Sequence, residues 1–178
     1  MIEMRIIGRG GQGAVTSAQI LAIAAFYDGK QSQAFPNFGV ERRGAPSYAY
    51  VRIDDRKINN RSLVYEPDYL IVLDASLLNL PGAVEGVSRG TKVFVNSSKP
   101  ESCDKTMCVT TFDATKTAME VLGKPIVNTA VLGGFAAKTG IVSIKSLVKA
   151  VDDVFDGELA EKNKKVMEKV YEEVKSGK

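Results

Sequence analysis

The sequence predicts an α/β domain built on a mostly parallel sheet, and three observations carry that prediction. Residues 69–74 (Tyr-Leu-Ile-Val-Leu-Asp) and 92–96 (Lys-Val-Phe-Val-Asn) are short apolar runs without polar alternation, the pattern of strands buried on both faces. Segments of helical composition separate such runs. The first junction, Gly8-Arg9-Gly10-Gly11-Gln12-Gly13, sets a G-x-G-x-x-G spacing between a strand-like run and a long apolar helix.

Taken in order, residues 4–7 read as the first strand. Residues 14–27 are nearly all apolar or small, including Ala18, Ile20, Leu21 and Ala24, and a helix without a polar face is buried on most sides. Asp28-Gly29 ends it, with Gly29 suited to a left-handed cap. Residues 31–35 form a short strand. Residues 36–46 hold two prolines, two glycines and the adjacent Arg42 and Arg43, which exclude a regular element. Residues 47–53 alternate, with Tyr48, Tyr50 and Arg52 on one face and Ala49, Val51 and Ile53 on the other. After a turn at Asp54-Asp55, residues 57–60 are expected to pair back, so that the 47–60 region adds antiparallel strands.

Residues 107–111 make a further short strand, followed by Asp113 as a helix cap. A helix over 115–122 closes at Gly123-Lys124-Pro125. Residues 128–139 form a small-residue helix whose Gly133-Gly134 implies close packing. Ser143 caps a helix over 144–151. Leu159, Asn163, Val166, Val170 and Val174 fall at helical spacing among Lys and Glu, an amphipathic terminal helix that packs on its own domain. There is no internal repeat or linker. The expectation is one Rossmann-like domain over residues 1–178, its sheet mostly parallel with some antiparallel strands and with helices on both faces. In such sheets the ligand crevice lies at the carboxyl ends of the strands, where the glycine loop and Asp74 would both fall.

Composition narrows the chemistry. The 178 residues suffice for one substantial core, and 44% of them are hydrophobic, ordinary for a soluble protein. No apolar run nears the ~20 residues that span a bilayer, and no charged segment followed by an apolar one opens the chain, so a cytoplasmic location is expected. A net charge of +3, from 24 basic and 21 acidic residues, calls for neither nucleic acid nor a membrane surface. Two cysteines, Cys103 and Cys108, and no histidine leave no complete cluster or zinc ligand set and no Ser-His or Cys-His nucleophile pair. Chemistry at this chain must draw on a bound cofactor, on other chains, or on carboxylate, Lys, Arg and backbone groups.

Strand, glycine turn and helix together aim backbone N–H groups at an anion. A nicotinamide dinucleotide would also need an acidic residue about twenty positions on, where this chain has Gln31, Gln33 and Ala34. The bland reading of the same glycines is a tight turn that lets helix and strand pack closely.

The whole pattern is more specific than its parts. Gly8-Arg9-Gly10-Gly11-Gln12-Gly13 leads into Val15-Thr16 and the Ala-rich helix. Gln33-Ala34-Phe35-Pro36-Asn37-Phe38-Gly39 and Glu41-Arg42-Arg43-Gly44-Ala45-Pro46 follow, then Tyr65-Glu66-Pro67-Asp68 ahead of the Leu73-Asp74 strand, and later Asn128-Thr129-Ala130-Val131-Leu132-Gly133. From residue 1 to about residue 171 this resembles the gamma subunits of the 2-oxoacid:ferredoxin oxidoreductases, pyruvate synthase in particular. The resemblance implies a complex that oxidatively decarboxylates pyruvate or a related 2-oxoacid such as 2-ketoisovalerate, with coenzyme A as substrate and ferredoxin as electron acceptor. It also implies that thiamine diphosphate and the iron–sulfur clusters belong to the alpha, beta and delta partner subunits, and that this chain holds no cofactor tightly and is inactive alone.

The resemblance further implies that the domain shapes the coenzyme A entrance. Candidate binding residues are Gly8, Gly10, Gly11, Gln12 and Gly13 of the loop, Glu41, Arg42 and Arg43, and Asn128 with Thr129. No catalytic residue and no metal ligand is assigned. Arginine forks match phosphate oxygens bidentately, and glycine-loop N–H groups supply further donors. Two alternatives stay open: the glycine loop with Arg42 and Arg43, and Glu41 as an ion-pair partner, only hold subunits together in a non-catalytic assembly module, or the chain is a free-standing dinucleotide-binding protein. Asn128 and Thr129 serve equally well as a helix cap.

Overall fold

A computed structural model describes residues 1–37, 44–80, 82–101 and 108–177. The chain enters the middle of a six-stranded sheet through β1 (Ile2–Arg9), turns at the glycine loop, and crosses through α1 (Ala14–Tyr27) to β2 (Gln31–Pro36) at one edge. β3 (Pro46–Asp54) returns between β2 and β1, antiparallel to both. β4 (Tyr69–Val72), β5 (Lys92–Asn96) and β6 (Cys108–Phe112) then extend the sheet on the other side of β1, all parallel to it. The order is β2-β3-β1-β4-β5-β6. Four helices follow: α2 (Ala114–Leu122), α3 (Asn128–Thr139), α4 (Ile144–Asp152) and α5 (Gly157–Ser176).

Both faces of the central strands are covered, which is why their sequences do not alternate. Met4, Ile6, Ala49, Val51, Ile71 and Phe94 face the core shared with the five α-helices, while Ile7, Leu70, Val72, Val93 and Val95 face a second cluster with Leu77 and Ala83. The helices expected on both faces therefore divide unequally. The second face is covered by a 3₁₀ helix (Ala75–Asn79) and the turns after it. That 3₁₀ helix is not anticipated by periodicity, although Asp74 caps it by accepting from the Ser76 N–H at 3.0 Å.

Residues 57–60 do not form the expected returning strand. Their carbonyls instead serve side chains: Gln33 donates to Ile58 O at 3.1 Å, and Arg52 donates to Asn60 O at 3.3 Å. Arg52 is fully buried rather than on a solvated face. Its charge is met by Glu3 at 2.6 Å and its other donors by carbonyls, so both faces of β3 are interior.

α3 is the central pillar of the helical layer. Its Phe135 meets Phe94 and Tyr69 edge-on, with ring centroids 5.2 and 5.7 Å away. Behind it lies α5, so close that a Cβ on Gly133 would fall 2.1 Å from the Met167 carbonyl oxygen. The close-packing reading of Gly133-Gly134 accordingly holds. On α5 the buried stripe is Ala160, Asn163, Val166, Met167, Val170 and Val174, and Leu159 lies outside it at 49% exposure.

Candidate functional site

β1 is the point where the sheet reverses its order of construction. Its crossover runs through α1 toward β2, whereas the connection after β4 leads the opposite way to β5 over the other face. The carboxyl ends of β1 and β4 consequently splay into a crevice, the usual ligand position in open α/β sheets. The glycine loop leaves β1 at this end and Asp74 leaves β4 beside it. Asn96 ends β5, and its amide donates to Leu73 O at 3.0 Å and Thr115 Oγ1 at 2.9 Å, tying the start of α2 into the same rim. A cavity of about 380 Å³ opens here, lined by Gln12, Asp74, Asn96, Ser97, Thr115 and Val127 among others. Roomier cavities lie against α2 and α5 and beneath β1 and β3, away from these strand ends.

The loop is held in shape by its own atoms. Gln12 N–H donates to Arg9 O at 2.8 Å, and Arg9 N–H donates to Gln12 Oε1 at 2.6 Å, closing a reciprocal turn. Gly10 N–H donates to Ala45 O at 2.7 Å and Gly44 N–H to Gly10 O at 3.2 Å. This pins Gly44 and Ala45, which follow Glu41, Arg42 and Arg43 in sequence, against the loop. Those three residues themselves lie outside the described residues.

Gly13 is the cap residue of α1, with φ 82°, a left-handed conformation that disfavours any side chain. Its own Cβ would fall 2.9 Å from Asn128 Nδ2. Gly11 has φ 94° and borders open space, and Gly8 lies against Leu73. Among the described residues no side chain caps α1, and its first turn holds no acidic residue. The N–H groups of Gly11, Gly13 and the first turn have no acceptor among the described residues, so this end of the helix carries unspent donors and partial positive charge.

Asn128 begins α3 directly beneath Gly13. It is 5% exposed, and its Oδ1 has no hydrogen-bond partner among the described residues. Ser17 Oγ ties the two helices together by reaching Gly13 O at 3.1 Å and Asn128 O at 3.2 Å. Thr129, by contrast, points away from the loop. It is fully buried and donates to Asn163 Oδ1 on α5 at 2.7 Å.

The residue missing from the sequence-derived set is Arg9, an unspecified position of the glycine pattern. Its Nε donates to Asp74 Oδ2 at 2.9 Å, Nη2 to Ser76 Oγ at 2.7 Å and Nη1 to Gly44 O at 3.2 Å. It thus joins β1, β4 and the segment before β3. Burial alone would raise the Asp74 carboxyl, but hydrogen bonds from Ser76 and from Arg9 outweigh it and hold the group below the usual carboxylate range. Asp74 is an anion already paired within the protein, which leaves the glycine loop and Asn128 as the unsatisfied part of the crevice. Among the described residues no three His, Cys, Asp or Glu side chains converge to hold a metal, and no helix is long and apolar enough to cross a membrane.

Fold and crevice define the class: an open-sheet α/β domain whose glycine loop and uncapped helix end face a ligand crevice at the switch point. Residues 3–173 match the family model described as pyruvate ferredoxin/flavodoxin oxidoreductase. The chain is 58% identical to the pyruvate synthase subunit PorC of Methanocaldococcus jannaschii, over 98% of this chain and 97% of that one. It is 50% identical to the common subunit gamma of the pyruvate/ketoisovalerate oxidoreductases of Pyrococcus furiosus, over 97% and 96%. The crystal structure of pyruvate oxidoreductase subunit PORC from Thermotoga maritima superposes with a TM-score of 0.81 at 36% identity, covering 96% of this chain and 95% of that one. The chain belongs to the pyruvate ferredoxin/flavodoxin oxidoreductase family and is a gamma-type subunit of a 2-oxoacid oxidoreductase complex.

Proposed function

We propose that this subunit forms the coenzyme A entrance of a pyruvate:ferredoxin oxidoreductase, in which alpha, beta and delta subunits carry thiamine diphosphate and the iron–sulfur clusters and pass electrons to ferredoxin in the cytoplasm. The observation that carries the reading is the N-terminus of α1, whose loop N–H groups at the switch-point crevice lack acceptors among the described residues. Coenzyme A is a reactant of this chemistry that carries phosphates. Two cysteines cannot by themselves complete a four-thiolate cluster, which is consistent with clusters carried by other subunits. Gly44, the residue after Arg43 in sequence, is hydrogen-bonded to the glycine loop. Full cations on Arg42 and Arg43 then supplement the partial charge of the helix end.

The test is kinetic. In the reconstituted complex, Arg42→Ala or Arg43→Ala raises KM for coenzyme A about ten- to a hundredfold, the cost of one lost charge-assisted contact at roughly 1.5–3 kcal/mol. KM for pyruvate stays within about twofold, a factor worth ~0.4 kcal/mol. Weaker subunit association with normal coenzyme A kinetics would instead assign the arginines to assembly.

A further inference from the structure

Two arginines are buried side by side in the sheet, and their charges are met differently. In the antiparallel pairing of β1 with β3, Glu3 lies opposite Arg52 and Arg5 opposite Tyr50, so all four side chains share the face turned away from the five α-helices. Arg52 is fully buried and holds a carboxylate, with Glu3 2.6 Å from its Nε. Arg5 is 6% exposed, and its acceptors are all neutral: Nη1 donates to Glu85 O at 2.5 Å, and Nη2 to Val64 O and Tyr65 O at 2.9 Å each. Its Nε, the atom that in Arg52 meets the carboxylate, has no acceptor among the described residues. No carboxylate among them forms an ion pair with Arg5. Carbonyls satisfy hydrogen bonds but leave the charge itself uncompensated, and a buried cation without a counter-charge is costly.

Arg5 lines a cavity of about 540 Å³ on this face, away from the glycine-loop crevice. Tyr50 lines it too. Burial pushes the Tyr50 hydroxyl up, and the Arg5 charge only partly offsets this, so the group is a neutral donor. Leu63 and Tyr65 border the same cavity, 37% and 68% exposed. An exposed tyrosine beside a buried arginine is the composition of an interface anchor. Glu66 and Glu85 line the cavity as exposed carboxylates, and neither forms an ion pair among the described residues. The cavity is thus positive inside and negative at its rim. A free anion is repelled by that rim, whereas an acidic side chain on a protein segment that also brings cations complements both parts.

We propose that this cavity docks another subunit of the complex through one Asp or Glu side chain, which neutralises Arg5 and is flanked by Lys or Arg residues that pair with Glu66 and Glu85. Tyr65 and Leu63 pack against the incoming segment, and exclusion of water by them strengthens the buried pair. The proposal rests on membership of a multisubunit family and not on the coenzyme A entrance.

The experiment leaves Arg5 intact, because its contacts hold the backbone at residues 64, 65 and 85. Sedimentation of the full chain with its partner subunits gives the dissociation constant, and thermal melts of the full chain alone give its own stability. Leu63→Glu sets a carboxylate at the cavity that competes for Arg5 and repels the incoming acid, so the dissociation constant rises roughly ten- to a hundredfold. Leu63→Gln has the same size without the charge and changes it by less than about threefold. Should Leu63→Glu fail to fold, the double variant Glu66→Lys with Glu85→Lys carries the test, because reversing the rim repels the flanking cations and weakens assembly. Melting temperatures of the rim variants stay close to wild type, as at other exposed positions. Equal effects of Leu63→Glu and Leu63→Gln overturn the inference, because the cavity would then read no charge. Wild-type dissociation constants in every variant overturn it as well. So does a saturable rise in the free chain's melting temperature with sodium acetate that Leu63→Glu abolishes while assembly stays normal, since the cavity would then take a small carboxylate. A melting temperature lowered by Glu41→Gln and restored by adding Leu63→Glu would place the counter-charge within the chain and overturn it too.

Discussion

At Gly13 the backbone is in the left-handed region, φ 82°, and an added Cβ would meet the Asn128 side chain at 2.9–3.1 Å. A non-glycine residue here costs about 1–2 kcal/mol for conformation alone, before the contact with Asn128 is counted. Gly13→Val in the reconstituted complex is expected to leave it inactive or unassembled, measured by viologen reduction and sedimentation, whereas wild-type turnover would show that the turn is neither tight nor near a ligand. Gly11 shares the conformation without the contact, since nothing lies within 4 Å of its Cβ position, so Gly11→Ala should be the milder change. The glycine pattern made both positions legible in the sequence. Arg9 and Asp74 are legible only as neighbours of that pattern. Their pairing needs β4 to lie beside β1, a long-range fact that no local spacing carries. Thr129 shows the reverse, a polar residue in a suggestive motif whose hydroxyl is spent on Asn163 of α5, a helix the sequence predicts but does not place beside α3.

A second residue-scale device is structural. Asp28 closes α1 and accepts from Ser143 N–H at 2.6 Å, Ser143 Oγ at 2.8 Å and Ser146 Oγ at 2.6 Å, locking the start of α4 to the end of α1. Burial pushes its carboxyl up, but these hydrogen bonds, aided by Lys30, leave it below the ordinary value. A depressed folded pKa gives stability that is present above the unfolded value of about 3.9 and is lost as pH falls through the folded one. Thermal melts of the full chain should thus show wild type more stable than Asp28→Asn at pH 7, with the two converging as pH drops below about 4. A constant difference across that range would mean that the contact does not depend on ionisation.

Helices and strands differ in how far their sequences specify them. α1, α3 and β5 coincide with their sequence-derived limits, because composition changes abruptly at both ends. β1 and β3 run one or two residues further at their ends, since ladder hydrogen bonds continue past the apolar run, as in the pairing of Arg9 with Pro46. On α5 the apolar spacing includes Leu159, yet the buried stripe takes Ala160 and Met167 instead. The stripe is set by how closely α3 approaches, and that approach is fixed by glycine. Gly133→Ala gains about 1 kcal/mol in helix propensity, but its Cβ would fall 2.1 Å from the Met167 carbonyl oxygen, a backbone atom that cannot step aside. The clash should win and α5 should shift or undock, with a net loss of about 1–3 kcal/mol or more in urea unfolding followed by circular dichroism. A stabilised variant would mean that the two helices sit further apart than this structure has them.

On the scale of the whole molecule, the described residues supply a close-packed platform and a crevice whose loop donors lack acceptors. With no histidine and two cysteines the chain offers no Ser-His or Cys-His pair and cannot by itself complete a four-thiolate cluster. Purified without partners, it should give no viologen reduction with pyruvate and coenzyme A, and turnover that survives rigorous removal of other subunits would contradict the proposed role as an entrance alone. The most direct measurement is hydrogen exchange on the assembled complex with and without coenzyme A. The loop amides of Gly11 and Gly13 and the first turn of α1, which have no protein acceptor among the described residues, should become protected when coenzyme A binds, together with the start of α3 at Asn128. Protection confined to the partner subunits, with peptides spanning residues 8–16 and 127–131 exchanging unchanged, would contradict the assignment of this subunit to the coenzyme A entrance.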